Sequence, residues 1–305
     1  MMYVWSDNLN NKYNNRKNIM AFSDLQIKVA SEEAVMGLNK HMASLKYFAK
    51  NVKPTADRPF AGIQVPVYKL TDAAEFAEGT NDWCSGQNEV DGVVVSLDKH
   101  FIKSLSLDDV SAGETDINFL RDGARAIADV IGTAANKYAW GLINQTNVTK
   151  AAQFKGDTKA AFANLFKIAD DNGVNPYECV LALNPENFAK LLSHLDSNVY
   201  GSSEAVQNGV VEKLFGFRAV VCTSYLESGT IGAIIPYNTM AIVSRVNKPA
   251  VDGYVATWTA ENDDGFAIGY RVHENLCTGR AYIGADILMG ARIVQEGIIR
   301  LTPAS

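Results

Sequence analysis

The chain carries little with which to do chemistry. Its four histidines, His41, His100, His194 and His273, stand too far apart for any two to share a helical turn. That excludes the paired-histidine zinc motif. The four cysteines, Cys84, Cys179, Cys222 and Cys277, contain no C-x-x-C pair, so reduced and mostly buried thiols are expected. Neither G-x-x-x-x-G-K-[ST] nor G-x-G-x-x-G occurs, which removes the two common glycine-rich phosphate cradles. No G-x-S-x-G nucleophile elbow occurs either. No apolar run reaches the ~20 residues of a membrane-spanning helix. A basic excess is missing too: the net charge is −6, which argues against a dedicated nucleic-acid binder.

Several weaker signals have plain readings. Asp263 and Asp264 could hold a cation, but an acidic hairpin turn is the commoner use of such a pair. The acidic residues between 72 and 91 do not follow the calcium-loop spacing. Asn144-Gln-Thr and Asn147-Val-Thr are formal glycosylation sequons and mean little without secretion. Gly279, Gly284 and Gly290 are expected to serve turns and bulges. No catalytic, cofactor-binding or metal-ligating residue can be assigned.

What is present is a core and a distinctive order of segments. Of 305 residues, 47% are hydrophobic and 20% charged, as in a soluble globular protein. Residues 1–23 lack the apolar stretch of a secretory signal, are rich in Asn, and are expected to be disordered. Met20 opens a more regular pattern and is an alternative start. Leu25, Val29, Val35, Leu38, Met42, Leu45 and Phe48 then suit a short amphipathic helix, or an arm lying on a neighbour. KPTADRP reads as a linker. GIQVPVYKL and VVVSLDKHFIKSLSL read as two extended segments flanking a long polar stretch, a protruding loop or ribbon. Pro66 confines the first to an edge, and Trp83 in the polar stretch is a candidate interface anchor.

Charge is divided along this first third. Residues 1–60 hold nine Lys/Arg against five Asp/Glu, and residues 63–116 three against eleven. A basic arm on one copy could therefore meet an acidic loop on another.

The clearest helix runs from Asp116 to about Asn144, with Ile117, Leu120, Ala124, Ile127, Ile131, Ala135, Tyr138 and Leu142 on one face and Thr115 as N-cap. Gly123, Gly132 and Gly141 punctuate it, permitting bending or close backbone contact. A second helix is expected over Thr158–Asp171, capped by Asp157 and stopped at Gly173, with Phe162, Leu165, Phe166 and Ala169 buried. YECVLAL reads as a buried strand, and Asn184-Pro185 starts another helix with Phe188, Leu191, Leu192 and Leu195 inward. HLDSNVYGSSEAVQNG reads as a polar loop. VVEKLFGFRAVVCTSY reads as a helix through Leu214 and Phe215, a stop at Gly216, and a strand over Phe217–Cys222. GAIIPYNTMAIVSR, GYVATWTAE, FAIGYRVHE and GARIVQEGIIRLTP suit strands, with a hairpin turn at Asn262-Asp263-Asp264-Gly265.

This order resembles the major capsid proteins of tailed bacteriophages, the Hong Kong 97-type fold. VVEKLFGFRAVVCTSYLESGTIGAIIPYNTMAIV, Val210–Val243, looks like that family's helix, tight glycine and strand pair. VNPYECVLALNPENFAKLL, Val174–Leu192, is similar to its strand–proline–helix segment. The resemblance implies an α+β fold in six parts. These are a disordered extension (1–23), an N-terminal arm (24–61), an extended loop (62–114) and a peripheral domain with a spine helix (115–173). An axial domain (174–250) and a strand-rich return through both domains (251–305) complete it.

It further implies a major capsid protein that is not an enzyme and uses no cofactor. Such a chain would self-assemble as pentamers and hexamers into an icosahedral shell around the phage genome. Its implied partners are a scaffolding protein, a portal and weakly bound double-stranded DNA, with no membrane, in a virion assembled in the host cytoplasm. Three other readings stay open here: an encapsulin-like bacterial nanocompartment shell, a hydrolase whose site is assembled from distant residues, and an adhesion or tail-sheath protein.

Overall fold

The computed structural model describes residues 24–42, 44–52, 62–69, 89–108, 118–195, 210–212, 214–247, 254, 256–275 and 280–304. The chain divides into two compact units. The first is built from residues up to Ala43, Lys99–Asn136 and Ser244–Met289; the second from Ser44–Asp98, Lys137–Val243 and Gly290–Ser305.

The first unit sets helices on one face of an antiparallel sheet. Helix α1, Asp24–Met42, buries Ala30, Ala34, Leu38 and Met42, a row spaced by four residues. Residues 24–42 are thus helical and pack within their own unit. Small residues let them approach closely. A Cβ at Gly37 would lie 3.1 Å from that of Ala128. Ala128 belongs to α2, Asn118–Gly141, the long helix the periodicity predicts. At ~1.5 Å per residue its length is about 36 Å. Residues 115–117, including the expected cap, lie outside the described residues. Two of the three punctuating glycines mark close contacts: Gly123 faces Leu105 and Ile283, and Gly132 faces His41. Gly141 faces open space.

Strands β4 (Lys99–Asp108), β13 (Arg280–Ile293), β12 (Ala267–Asn275) and β11 (Ala256–Glu261) pair antiparallel in that order. Alternation puts Leu105, Ile283 and Tyr270 on the helix side, where the Tyr270 hydroxyl donates 2.7 Å to the Ala124 carbonyl. Trp258 stacks on Tyr270 with ring centroids 5.0 Å apart. The turn at 262–265 forms as expected. The Asn262 side chain accepts from Phe266 N at 2.8 Å, and Gly265 sits at φ 81°. Asp263 and Asp264 are therefore turn residues.

The second unit holds a six-stranded mixed sheet. Its order is β5 (Ala151–Phe154), β14 (Ile299–Pro303), β9 (Gly232–Pro236), β6 (Cys179–Leu183), β8 (Ala219–Cys222) and β7 (Val210–Glu212). Every residue of β6 is buried, as a central strand covered on both faces must be. Helices α3 (Lys159–Asp171) and α4 (Pro185–His194) supply Phe162, Leu165, Phe188 and Leu191 to the same core as Leu181, Ile234 and Leu301. Asn184 caps α4 and Pro185 occupies its first turn, as the dipeptide predicts. Gly173 closes α3 at φ 72°. The cap of α3 is Thr158, whose hydroxyl accepts from Ala161 N at 3.2 Å, and not Asp157. Asp157 instead pairs with Lys155. Also in this unit, β1 (Ala49–Val52) runs parallel to β10 (Met240–Arg245). A two-stranded ribbon joins β2 (Ile63–Lys69) to β3 (Glu89–Val95), with Pro66 opposite Gly92.

Five sequence expectations need correction. The described residues of VVEKLFGFRAVVC form no helix. Val210–Glu212 pairs antiparallel with Ala219–Cys222, and Leu214–Phe217 closes a tight turn with Phe215 at φ 50° and Gly216 at φ 81°. Positive φ at both central positions is the type I′ geometry that twists with a hairpin, and the flanking valines favour strand. VVVSLDKHFIKSLSL is two strands, β3 and β4, belonging to different units. GAIIPYNTMAIVSR likewise divides at Asn238, a non-glycine residue at φ 60°, into β9 and β10 of different sheets. GARIVQEGIIRLTP divides between the end of β13 and β14, with Gly297 at φ 125° between them. Gly284 and Gly290 lie inside β13, not in turns. Gly290 is required because a Cβ there would come 2.0 Å from the Ser96 carbonyl oxygen.

Candidate assembly surfaces

The histidines do not converge. His41 lies 3.3 Å from Asp129 Oδ1 and 3.3 Å from Thr133 Oγ1, bridging α1 and α2. His100 contacts Asp286 at 2.8 Å. His194 packs beside Phe162, and His273 beside Tyr254. Among the described residues no three His, Cys, Asp or Glu side chains are placed to hold a metal ion. No described helix is long and apolar enough to cross a membrane. Cys179 is buried and Cys222 half-buried, both free thiols; Cys84 and Cys277 lie outside the described residues, as do Trp83 and the polar stretches around it and over 196–209. Burial pushes the Cys179 thiol up to about 12, which removes it as a nucleophile near neutral pH. The sequon asparagines have structural work: Asn144 Nδ2 donates to the Gly141 carbonyl and Asn147 Nδ2 to that of Leu142, each at 2.9 Å, closing the end of α2.

Polar side chains gather on two surfaces. In the first unit the sheet face away from the helices carries a buried carboxylate, Asp286. Arg271 Nη1 approaches its Oδ1 at 2.6 Å, and His100 and Asn247 its Oδ2 at 2.8 and 3.4 Å. Arg271 also donates 2.9 Å to the Asn247 carbonyl. Tyr254, His273 and Tyr282 line an open cleft of about 410 Å³ over this cluster. Beside it Ile102 is 70% exposed on β4. In the second unit buried Arg300 donates to the Val148 carbonyl at 3.1 Å and to Thr230 Oγ1 at 3.2 Å, with Glu227 at 3.6 Å. Glu227 accepts from Gln145 N at 2.8 Å, so one arginine and one glutamate tie two loops, 142–150 and 223–231, to β14. Tyr138 donates to Asp98 at 3.0 Å; burial and that carboxylate push its hydroxyl up to about 12.

Sequence reasoning missed these clusters because His100 lies 186 residues before Asp286, and Arg271 meets Asp286 only through the pairing register of β12 and β13. No spacing rule could join them. They tie Asp286 to β4 and β12, and β14 to the segments around Val148 and Thr230.

The fold agrees with the comparisons. The model of the phage capsid protein family matches residues 91–276, well over half the chain, and the chain belongs to that family. It is a shell-forming major capsid protein, a virion component, with an α+β Hong Kong 97-type fold. No curated protein matches its sequence. Among solved structures, the capsid of the native GTA particle aligns at TM-score 0.55 and 13% identity, over 87% of this chain and 91% of that one. The capsid of the cyanophage P-SCSP1u aligns at 0.54 and 12%, over 85% and 86%. The head of the Helicobacter pylori bacteriophage KHP40 aligns at 0.52 and 11%, over 84% and 86%. At such identities the likeness is one of fold.

Proposed function

We propose that copies of this chain close as pentamers and hexamers into an icosahedral shell around double-stranded phage DNA, with a scaffolding protein and a portal as partners. Assembly takes place in the host cytoplasm, and the chain performs no catalysis. The observation that carries this reading is the family match over residues 91–276, which runs from the ribbon through the long helix to the sheets of both units. The first unit takes the peripheral role, with α2 as its spine, and the second the axial role. The basic segment before residue 61 meets the acidic strip of an adjacent copy; between residues 70 and 91 the sequence has six acidic and no basic residues. DNA contacts are weak and independent of sequence.

Electron microscopy of the purified protein tests the reading. Hollow closed particles are expected; tubes or monomers overturn it. Raising salt from low to molar levels should lower particle yield, because exposed ionic contacts are screened within ~3 Å at 1 M. A yield indifferent to salt overturns the arm-to-strip contact alone.

A further inference from the structure

One end of the second unit's sheet presents aromatic rings to solvent. Tyr177, in the short turn Pro176–Glu178 before β6, is 67% exposed and packs edge-on against Phe166 of α3 at 5.4 Å. Tyr237, just past β9, is 40% exposed, and the guanidinium of Arg218 lies 4.1 Å over its ring. Backbone bonds hold these groups together: Tyr237 N donates to the Glu178 carbonyl and Arg218 N to that of Cys179, both at 2.9 Å. The hairpin turn completes the patch. Gly216 lies so close to Phe166 that a Cβ would come within 2.6 Å of its ring.

Phe215 is the unusual member. The first central residue of a type I′ turn is usually Asn, Asp or Gly. A bulky aromatic at φ 50° is an outlier whose strain needs a compensating use. Phe215 is only half-buried by its own chain. Arg218 is exposed, and among the described residues its guanidinium has a ring beneath it and no carboxylate beside it. Exposed tyrosines, a phenylalanine and an arginine held on rigid strand ends are the side chains over-represented at interface hot spots.

We propose that this patch docks on an acidic surface of a second copy of the chain, as a subunit contact of the shell. The proposal rests on the shell reading above. A second copy is the occupant because shell formation puts copies side by side. Each carries a net charge of −6, so it offers the acidic surface that an uncommitted guanidinium fits. The aromatic rings are desolvated on docking and the cation is brought against a carboxylate.

The test uses full-length protein. A photo-reactive benzoylphenylalanine at position 177 should, on irradiation of assembled particles, give covalent dimers whose joined peptides both come from this chain. The same irradiation of dissociated subunits should give none. Crosslinks confined to one chain, or made to another protein, overturn the proposal. In parallel, Arg218→Glu should lower particle yield at least tenfold, with the circular dichroism of the subunit unchanged, while Arg218→Lys keeps part of the yield. If the unsubstituted protein forms particles and Arg218→Glu forms them equally well, this contact is wrong and the shell reading stands. If the unsubstituted protein forms none, both fall.

Discussion

Arg271 and Asp286 meet across neighbouring strands, guanidinium Nη1 to carboxylate Oδ1 at 2.6 Å, although the cross-strand partner of Arg271 is Gly284. With no side chain at Gly284, the guanidinium can lie along the sheet and reach the next residue on the same face. The carboxylate is almost wholly buried, so its charge is tolerable only because Arg271, His100 and Asn247 surround it.

Removing the main partner should therefore cost more than a surface ion pair. Arg271→Ala is expected to destabilise the protein by ~3–5 kcal/mol, the range for stranding a buried charge. His100→Ala should cost about 1 kcal/mol, as for a single partly exposed hydrogen bond. The double variant Arg271→Met/Asp286→Leu should cost less than Arg271→Ala alone. Urea unfolding of the dissociated subunit measures all three.

The glycines of the chain should separate sharply. Gly290→Ala places a methyl group against the Ser96 backbone carbonyl, which cannot rotate away, so a loss of ~1–3 kcal/mol is expected. Gly141→Ala meets nothing within 4 Å at the end of α2 and should be neutral or stabilising by up to ~1 kcal/mol. Thermal unfolding of the two variants side by side checks this.

The start of α3 offers a finer test. Thr158→Ala removes the side-chain acceptor of Ala161 N and should cost about 1 kcal/mol. Asp157→Ala loses only an exposed pair with Lys155 and should stay within about 0.5 kcal/mol. Equal losses would return the cap to Asp157.

Alkaline pH should weaken the fold. Burial raises the Cys179 thiol from 9.0 to about 12, and burial with Asp98 raises Tyr138 from 10.0 to about 12. Between those values the unfolded chain has already released protons that the folded chain still holds. Stability contributed by keeping both groups neutral is complete below pH 9 and declines as pH rises towards 12. Cys179→Ala should flatten the early part of that decline in pH-dependent urea titrations. Thiol labelling of the folded protein at pH 8 should leave Cys179 unmodified.

Most helices and many strands were legible before any coordinates. The three- and four-residue spacing of Leu120, Ala124, Ile127, Ile131 and Ala135 identifies α2, and Asn184-Pro185 marks the start of α4. Asn262 to Gly265 marks a turn by chemistry acting within four residues. The failures cluster where a local pattern has two solutions. In VVEKLFGFRAVVC the apolar spacing fits a helix as well as a hairpin. The strand partner Ala219–Cys222, and the ring of Phe166 against Gly216, select the hairpin. Thr158 and Asp157 are adjacent candidates for one cap, and only the backbone direction entering α3 separates them.

Periodicity, capping residues and turn dipeptides act over a few residues, so the sequence by itself determined the helices, the buried central strand and the order of elements that resembles a capsid subunit. Pairing and ion-pair partners depend on which distant segments share a sheet. The division of 89–108 between two units, the encirclement of Asp286 and the aromatic patch around Tyr177 were therefore decided by tertiary structure alone. The last two join residues that only strand pairing brings within reach.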